Sequence, residues 1–153
     1  MSGPVLFCFD GSTGSLSALT AGGALIRPQA AVVLTVWETL ATQLVASGSA
    51  FTYVPEEGDF DAREEAAAWD AARQGAAAAE SHGWPVTPRV ENAPVAVWRT
   101  VVDVADELGA SLVVCGSRGR NPAKRALLGS VSEAVLHHCR RPTLIAPEPT
   151  ARP

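Results

Sequence analysis

Three short, continuous runs of apolar residues constrain the fold of this chain more than any other feature. They are Val5 to Phe9, Ala31 to Val36 and Ser111 to Cys115, and they are rich in β-branched residues. Unbroken apolar runs of this length are typical of strands that are buried on both faces of a parallel sheet, whereas half-exposed strands alternate. The sequence predicts two weaker strands at Trp84 to Glu91 and at Pro142 to Pro147.

Helical patterns lie between these strands. The predicted helices are Ser12 to Ile26, Asp61 to Ser81, Val95 to Leu108 and Ser130 to His138. Alternation of strand and helix that ends on a strand predicts an α/β fold, in which a doubly wound parallel sheet of five strands carries helices on both faces. Pro85 and Pro88 indicate that their strand lies at a sheet edge, because proline cannot donate a ladder hydrogen bond.

The length of 153 residues is typical of a single domain. We expect this domain to comprise residues 1–148 and to be followed by a flexible tail at 149–153. The segment from Trp37 to Phe60 is longer than an ordinary connection between a strand and a helix. The sequence leaves open whether this segment is a lid, a surface for a partner or a simple insertion.

Composition limits the class of protein. Apolar residues make up 47% of the chain and charged residues 18%, which excludes a chain that is mainly a disordered, highly charged segment. No apolar run approaches the roughly 20 residues that a membrane-spanning helix needs, and no basic segment precedes the first apolar run. The three cysteines lack C-x-x-C spacing, so we expect reduced thiols in the cytoplasm. A net charge of −4 argues against general nucleic-acid binding.

The loop from Gly116 to Gly129 reverses the charge of the chain locally. It contains four basic residues and no acidic residue, while the rest of the chain carries a formal charge of −8. In an open parallel sheet, ligands bind beyond the carboxyl ends of the strands where the strand order reverses. If the order is 3-2-1-4-5, this loop adjoins Asp10, which follows the first strand. Asp10 has an alternative role as a charge that merely precedes a helix.

The make-up of this loop favours binding of a phosphate. Gly116 and Gly119 allow backbone amides to approach an anion, and Gly129 precedes a helix whose first amides are unpaired. Side chains that could neutralise or bind a polyphosphate are Arg118, Arg120, Lys124, Arg125, Ser130 and Ser132. The structural alternative is that Ser130 and Glu133 form a capping box and that the arginines are simply solvated.

The spacing Gly116-x2-Gly119-x9-Gly129-Ser130 resembles the nucleotide-binding pattern of the universal stress protein family. The stretch "VLFCFDGSTGSLSAL" resembles the first strand and helix of that family, and "LVVCGSRGR" with "LLGSVSEAVLHHCRRPTLIAP" resembles its fourth strand to its fifth. The similarity extends over nearly the whole chain and is weakest at Ala46 to Phe60. It implies the strand order 3-2-1-4-5 of an adenine nucleotide alpha-hydrolase-like fold.

The resemblance also implies a ligand, ATP with Mg²⁺, and a role for each matching residue. Asp10 would contact the ribose or the adenine end, and the backbone of Cys8 and Val36 would line the base pocket. The ribose and the phosphates would be held by Gly116, Arg118, Gly119 and Arg120. The distal phosphates would be bound by Gly129, Ser130, Val131 and Ser132.

The sequence offers little support for catalysis. It has no G-x-x-x-x-G-K-[ST] loop, no G-x-S-x-G elbow and no histidine at the end of a predicted strand. The run His137-His138-Cys139 looks like a metal cluster, but adjacent residues on a helix point about 100° apart. The leading hypothesis is a nucleotide-dependent regulatory or stress-response module. A slow Mg-dependent ATPase, a nucleotidyl or phosphoryl transferase using the same pocket, and a protein that binds no nucleotide remain as alternatives.

The last predicted strand indicates how the chain assembles. In the order 3-2-1-4-5, Thr143 to Ala146 lies at a sheet edge with open backbone hydrogen-bonding groups, and Leu144 and Ile145 are apolar. Twofold pairing of identical edges would satisfy both chains, so we expect a homodimer, as the resemblance also implies. The flanking Pro142 and Pro147 favour the alternative, in which prolines blunt the edge and the protein stays monomeric.

Overall fold

The computed structural model describes residues 3–48, 57–120 and 128–148. Within them, five parallel strands form one sheet, in which the third strand is followed in space by the second, first, fourth and fifth. The strands are β1 (Val5–Cys8), β2 (Ala31–Trp37), β3 (Val86–Asn92), β4 (Leu112–Gly116) and β5 (Thr143–Ala146). The three central strands are the three apolar runs of the sequence, and the predicted fold class and strand order are confirmed.

The structure contains one more described helix than the sequence predicted. The helices are α1 (Thr13–Leu25), α2 (Leu40–Ser47), α3 (Glu57–Ser81), α4 (Val97–Glu107) and α5 (Ser130–His138). The unexpected helix α2 lies in the long segment after β2, where Thr39 caps it and Gly48 ends it in a left-handed conformation with φ of 74°. Because α2 has no buried residue, it shows no apolar stripe that would have revealed it.

The register of the central strands builds two core layers, one on each face of the sheet. Phe7 lies between Val33 and Val114, and these three side chains belong to the core cluster under α1 and α3. Leu6, the preceding residue, belongs to the opposite cluster under α4 and α5. Trp84 closes the first cluster and packs edge-on against Phe7, with ring centroids 5.2 Å apart. Burial on both faces explains why these strands are continuously apolar.

The two edge strands of the sheet have different surroundings. Pro88 lies in β3, as expected for an edge, and Arg89 of the same strand donates two hydrogen bonds, of 3.0 and 2.8 Å, to the Glu107 carboxylate on α4. Arg89 also donates to Glu91 at 2.7 Å. At the other edge, β5 pairs with β4 alone among the described strands. No helix in the described ranges has an apolar stretch long enough to cross a bilayer.

Some sequence predictions fall outside the described residues. These are the flexible tail at 149–153, the basic residues Lys124 and Arg125, and positions 49–56 of the long segment after β2.

Candidate functional site

A cavity of about 320 Å³ opens beyond the carboxyl ends of β1, β2 and β4. This is the point at which the connections change from one face of the sheet to the other, and its volume is within the range of about 300–1,000 Å³ that is typical of ligand pockets. All eleven residues that the sequence singled out line it: Cys8, Asp10, Val36, Gly116, Arg118, Gly119, Arg120, Gly129, Ser130, Val131 and Ser132.

Seven further residues line the cavity without having been assigned a role from the sequence: Phe9, Ser15, Leu34, Glu38, Val97, Val101 and Cys115. Two simple periodicities would have found several of them. Leu34, Val36 and Glu38 recur at every second position along β2 and just beyond its end, which is the spacing of residues on one face of a strand. Val97 and Val101 are four residues apart on α4 and therefore lie on one side of that helix.

The first turn of α5 borders the cavity and contains backbone amides that have no acceptor within the helix. Gly129 is the N-cap residue, and its carbonyl oxygen accepts from the Glu133 amide at 2.9 Å. The amides of Ser130, Val131 and Ser132 precede the first bond of the helix and have no acceptor within it. Together with the positive end of the helix dipole, three such amides make a site for an anion.

The Gly129 amide itself is not among these donors. It donates to the carbonyl oxygen of Ser117 at 2.6 Å and so closes the base of the loop that leads from β4 to α5. The expected contact between this amide and a distal phosphate is therefore replaced by an internal hydrogen bond. The glycine leaves space, because a Cβ at this position would lie 3.4 Å from the Ser117 oxygen.

The two serines of α5 have different environments. Ser132 is buried, and its hydroxyl donates to the carbonyl oxygen of Gly116 at 2.6 Å. Its proton is committed to that contact, so the hydroxyl cannot also donate to a phosphate as the sequence analysis expected. Ser130 is exposed and follows the N-cap, and α5 has no side-chain cap bond. The capping-box alternative for Ser130 is therefore wrong.

At two of the glycines a Cβ would make a close contact, although neither glycine has a positive φ. A Cβ on Gly116 would lie 2.7 Å from the carbonyl oxygen of Gly14, in the first turn of α1. A Cβ on Gly119 would lie 2.9 Å from Oδ2 of Asp10. Gly116 thus lets α1 pack against the end of β4, whereas Gly119 leaves space for the Asp10 carboxylate in the cavity.

Asp10 serves the local turn with one carboxylate oxygen and faces the cavity with the other. Its Oδ1 accepts from the Ser12 amide at 2.9 Å, and Gly11 between them has a φ of 80° that favours glycine. The cap of α1 is Ser12, whose hydroxyl accepts from the Ser15 amide at 3.1 Å. Asp10 is therefore not the helix cap, and its Oδ2 points toward Gly119.

The sulfur atoms in the cavity wall belong to neighbouring strands. The register pairs Phe7 with Val114, so the next residues, Cys8 and Cys115, are side by side. The adjacent Cys115 thiol, followed by burial, raises the pKa of Cys8 well above its ordinary value. Cys8 is thus held as a neutral thiol that contributes an apolar surface rather than a nucleophile.

One histidine of α5 stacks on a neighbouring helix. The ring of His138 stacks on Trp98 of α4, with centroids 4.5 Å apart and planes inclined by 23°. Across residues 3–48, 57–120 and 128–148, no group of three His, Cys, Asp or Glu side chains is arranged to hold a metal ion.

Comparison with known proteins identifies relatives of this chain. A family model described as the Universal stress protein family matches residues 1–147. A putative universal stress protein of Staphylococcus haemolyticus is 49% identical over 35 residues, which are 23% of this chain and 21% of that protein. A universal stress protein of Mycolicibacterium smegmatis is 36% identical over 66 residues, which are 43% of this chain and 21% of that protein. Each match thus spans about a fifth of the curated relative.

Solved structures show the same fold over almost the full length. UspA from Lactobacillus plantarum superposes with a TM-score of 0.75 at 20% identity, covering 94% of this chain and 97% of that one. A family protein from Arabidopsis thaliana with AMP bound gives 0.68 at 13% identity, with 97% and 93% covered. A universal stress protein in complex with cAMP gives 0.67 at 21% identity, with 97% and 100% covered. With the family match extending over residues 1–147, the chain belongs to the universal stress protein family.

Proposed function

We propose that this protein binds ATP in the cavity at the end of the sheet and acts as a nucleotide-dependent regulatory or stress-response module in the cytoplasm. The observation that carries the proposal is the first turn of α5, where three amides without helical acceptors border the same cavity as Arg118 and Arg120. An anionic group bound there would be stabilised both by the helix dipole and by the positive charge of the guanidinium groups.

Different parts of the cavity lining suit the phosphates, the ribose and the base of a nucleotide. Phosphates would lie at the amides of Ser130, Val131 and Ser132, with the exposed Ser130 hydroxyl as a further donor. The ribose would lie beside Oδ2 of Asp10, over the end of β1. The base would lie over β2 and α4, where Leu34, Val36, Val97 and Val101 give the described lining an apolar surface, with Cys8 at the neighbouring end of β1.

Two solved relatives support an adenine nucleotide as the ligand class. One was solved with AMP and another with cAMP, and both share the fold of this chain. The extension to ATP rests on the size of the cationic region, which includes α5 and two arginines and exceeds the needs of one phosphate. Mg²⁺ suits such a site because it is usually held by nucleotide phosphates and one or two carboxylates, here Asp10.

A slow ATPase or a transferase is the second candidate, and Asp10 is the observation that favours it. Its Oδ2 faces the cavity beside the phosphate loop, where it could hold a metal-bound water. The described lining contains two carboxylates and no histidine, the residue that most often serves as a general base. Binding without rapid turnover is the better-supported function.

One experiment separates these functions. The protein is purified from cells and denatured, and the released nucleotide is identified by mass; the refolded or nucleotide-free protein is then titrated with ATP and Mg²⁺ by calorimetry. Release of ATP without accumulation of ADP supports the binding module, and rapid formation of ADP supports the enzyme. The variant Gly129→Glu, which adds a carboxylate beside the α5 amides, should abolish binding while circular dichroism stays unchanged. Absence of nucleotide together with no calorimetric signal would exclude both.

We also propose that two copies associate through β5. The strand lies at the sheet edge, and its backbone groups on the outer side pair with no other described strand. Leu144 and Ile145 are partly buried because each packs against one of the two core clusters. The support for the dimer is therefore the open backbone edge more than an exposed apolar surface.

A further inference from the structure

Glu38 is a carboxylate at the base end of the cavity that the proposed roles leave unused. It follows the last residue of β2 and lines the cavity together with Leu34 and Val36. Leu34 and Val36 are two positions apart within β2, and Glu38 follows at the same spacing just beyond its end, so the cavity wall passes from two apolar residues to an acidic one. Glu38 is partly buried, and its backbone is held by a hydrogen bond of 3.3 Å from Gln43 on α2.

The carboxylate of Glu38 has no protein donor in the described part of the chain. No hydrogen bond or ion pair among residues 3–48, 57–120 and 128–148 involves its side-chain oxygens, whereas Asp10 uses Oδ1 within its own turn. A carboxylate that lines a ligand cavity without a protein partner is suited to accept hydrogen bonds from the ligand.

Strand order fixes which part of the ligand faces Glu38. The phosphate loop follows β4, Asp10 follows β1, and Glu38 follows β2, and these three strands are adjacent in that order. Neighbouring strands lie about 4.8 Å apart, so Glu38 lies about two strand spacings, roughly 10 Å, from the end of β4. In the proposed binding mode the phosphates and the ribose lie at the first two positions, which leaves the edge of the base for the third.

We propose that Glu38 is a specificity-determining residue that accepts a hydrogen bond from the exocyclic amine of the base and thereby selects adenine over hypoxanthine. This inference rests on the proposed nucleotide binding. The two bases have nearly the same shape, but hypoxanthine has a carbonyl oxygen where adenine has an amine. A carboxylate accepts from the amine and repels the oxygen, so the preference follows from charge and hydrogen bonding alone.

The test compares ATP and ITP by calorimetry on the full chain; the two differ at position 6 of the base and in the proton that hypoxanthine carries on the adjacent N1. Wild-type protein should bind ATP roughly ten- to hundredfold more tightly than ITP, as expected for a hydrogen bond to a charged group. In Glu38→Gln the side-chain amide can donate to the hypoxanthine oxygen, so the ratio should fall to within about threefold. Glu80→Gln is the matched control, because it removes the same charge from α3 just before β3, at the opposite ends of the strands.

Each outcome is decisive when thermal unfolding shows that the variants are folded. A ratio that falls in Glu38→Gln and is unchanged in Glu80→Gln supports the role of Glu38. Binding of both nucleotides with a ratio that Glu38→Gln does not change overturns that role and leaves nucleotide binding intact. Tighter binding of GTP than of ATP by the wild type also overturns it. Failure of the wild type to bind either ATP or ITP overturns the proposed function and this inference together.

Discussion

The buried hydroxyl of Ser132 donates a 2.6 Å hydrogen bond to the carbonyl oxygen of Gly116, and this contact joins the first turn of α5 to the end of β4. Both groups border the cavity, so the position of the α5 amides depends on a bond that no ligand takes part in. The contact makes Ser132 a stabilising residue, whereas Ser130, two positions earlier, is the serine that we propose binds the ligand.

Ser132→Ala should therefore destabilise the protein. It leaves the Gly116 carbonyl oxygen buried without its donor, which costs about 1–3 kcal/mol of the free energy of unfolding. Ser130→Ala changes an exposed hydroxyl that is not a cap, and should alter that free energy by less than about 0.5 kcal/mol while weakening ATP binding. Urea denaturation and calorimetry measure the two effects. Equal losses of stability in both variants would contradict the assignment.

Gly119→Ala should weaken nucleotide binding more than it weakens the fold. The new Cβ would lie 2.9 Å from Oδ2 of Asp10 and would push that carboxylate from its position in the cavity. We expect at least a tenfold loss of ATP affinity, equivalent to about 1.4 kcal/mol, in calorimetric titration. Gly58→Ala is the control, since a Cβ there meets nothing within 4 Å.

Gly116→Ala should have the opposite profile. Its Cβ would meet the backbone oxygen of Gly14 at 2.7 Å, and neither backbone can yield without moving α1 away from β4. The melting temperature should fall by several degrees, consistent with an overpacking cost of about 1–3 kcal/mol. A variant that retains the wild-type melting temperature would show that α1 accommodates the methyl group.

The contact between Arg89 and Glu107 should make stability depend on pH. The Arg89 guanidinium lowers the pKa of Glu107 below its ordinary value of 4.5 in the folded protein. A lowered folded pKa means that the contribution is present above the ordinary value and is lost as pH falls through the folded value. The stability difference between wild type and Arg89→Gln should thus be present at neutral pH and shrink below about pH 4 in urea titrations. Arg73→Gln, which removes an exposed pair with Asp70, should show little effect at any pH.

Leu144→Lys should convert a dimer into a monomer if β5 forms the contact. Analytical ultracentrifugation at tens of micromolar measures the species, and the melting temperature must be followed as well because Leu144 packs against the core. Wild-type protein that sediments as a monomer at this concentration would exclude the proposed dimer.

The sheet could be predicted from the sequence because burial on both faces leaves a local signature. Runs such as Val5 to Phe9 are apolar at consecutive positions and are too short and too rich in β-branched and aromatic residues for a buried helix. The helix α2 lacked such a signature because none of its residues is buried. Its signals were Thr39 and Gly48, which are compatible with many turns.

The candidate site was likewise predictable only in part from the sequence. Its glycines and cations could be located from their spacing, but the tasks of individual groups could not. Whether the Gly129 amide serves a ligand or the Ser117 carbonyl oxygen depends on how the loop closes in space. Glu38 was missed because it follows its strand alone, and a single carboxylate on a loop resembles any solvated residue.

The hydrogen bond from the Gly129 amide to Ser117 has a consequence for how the loop can evolve. It closes the loop at its base, so the eleven intervening residues can change in number without altering the ends that β4 and α5 require. Even a doubling of such a loop adds only about 0.6 kcal/mol of closure entropy. Folding therefore tolerates insertions and deletions at this point, and any selection that holds the spacing constant must act through what the loop surrounds.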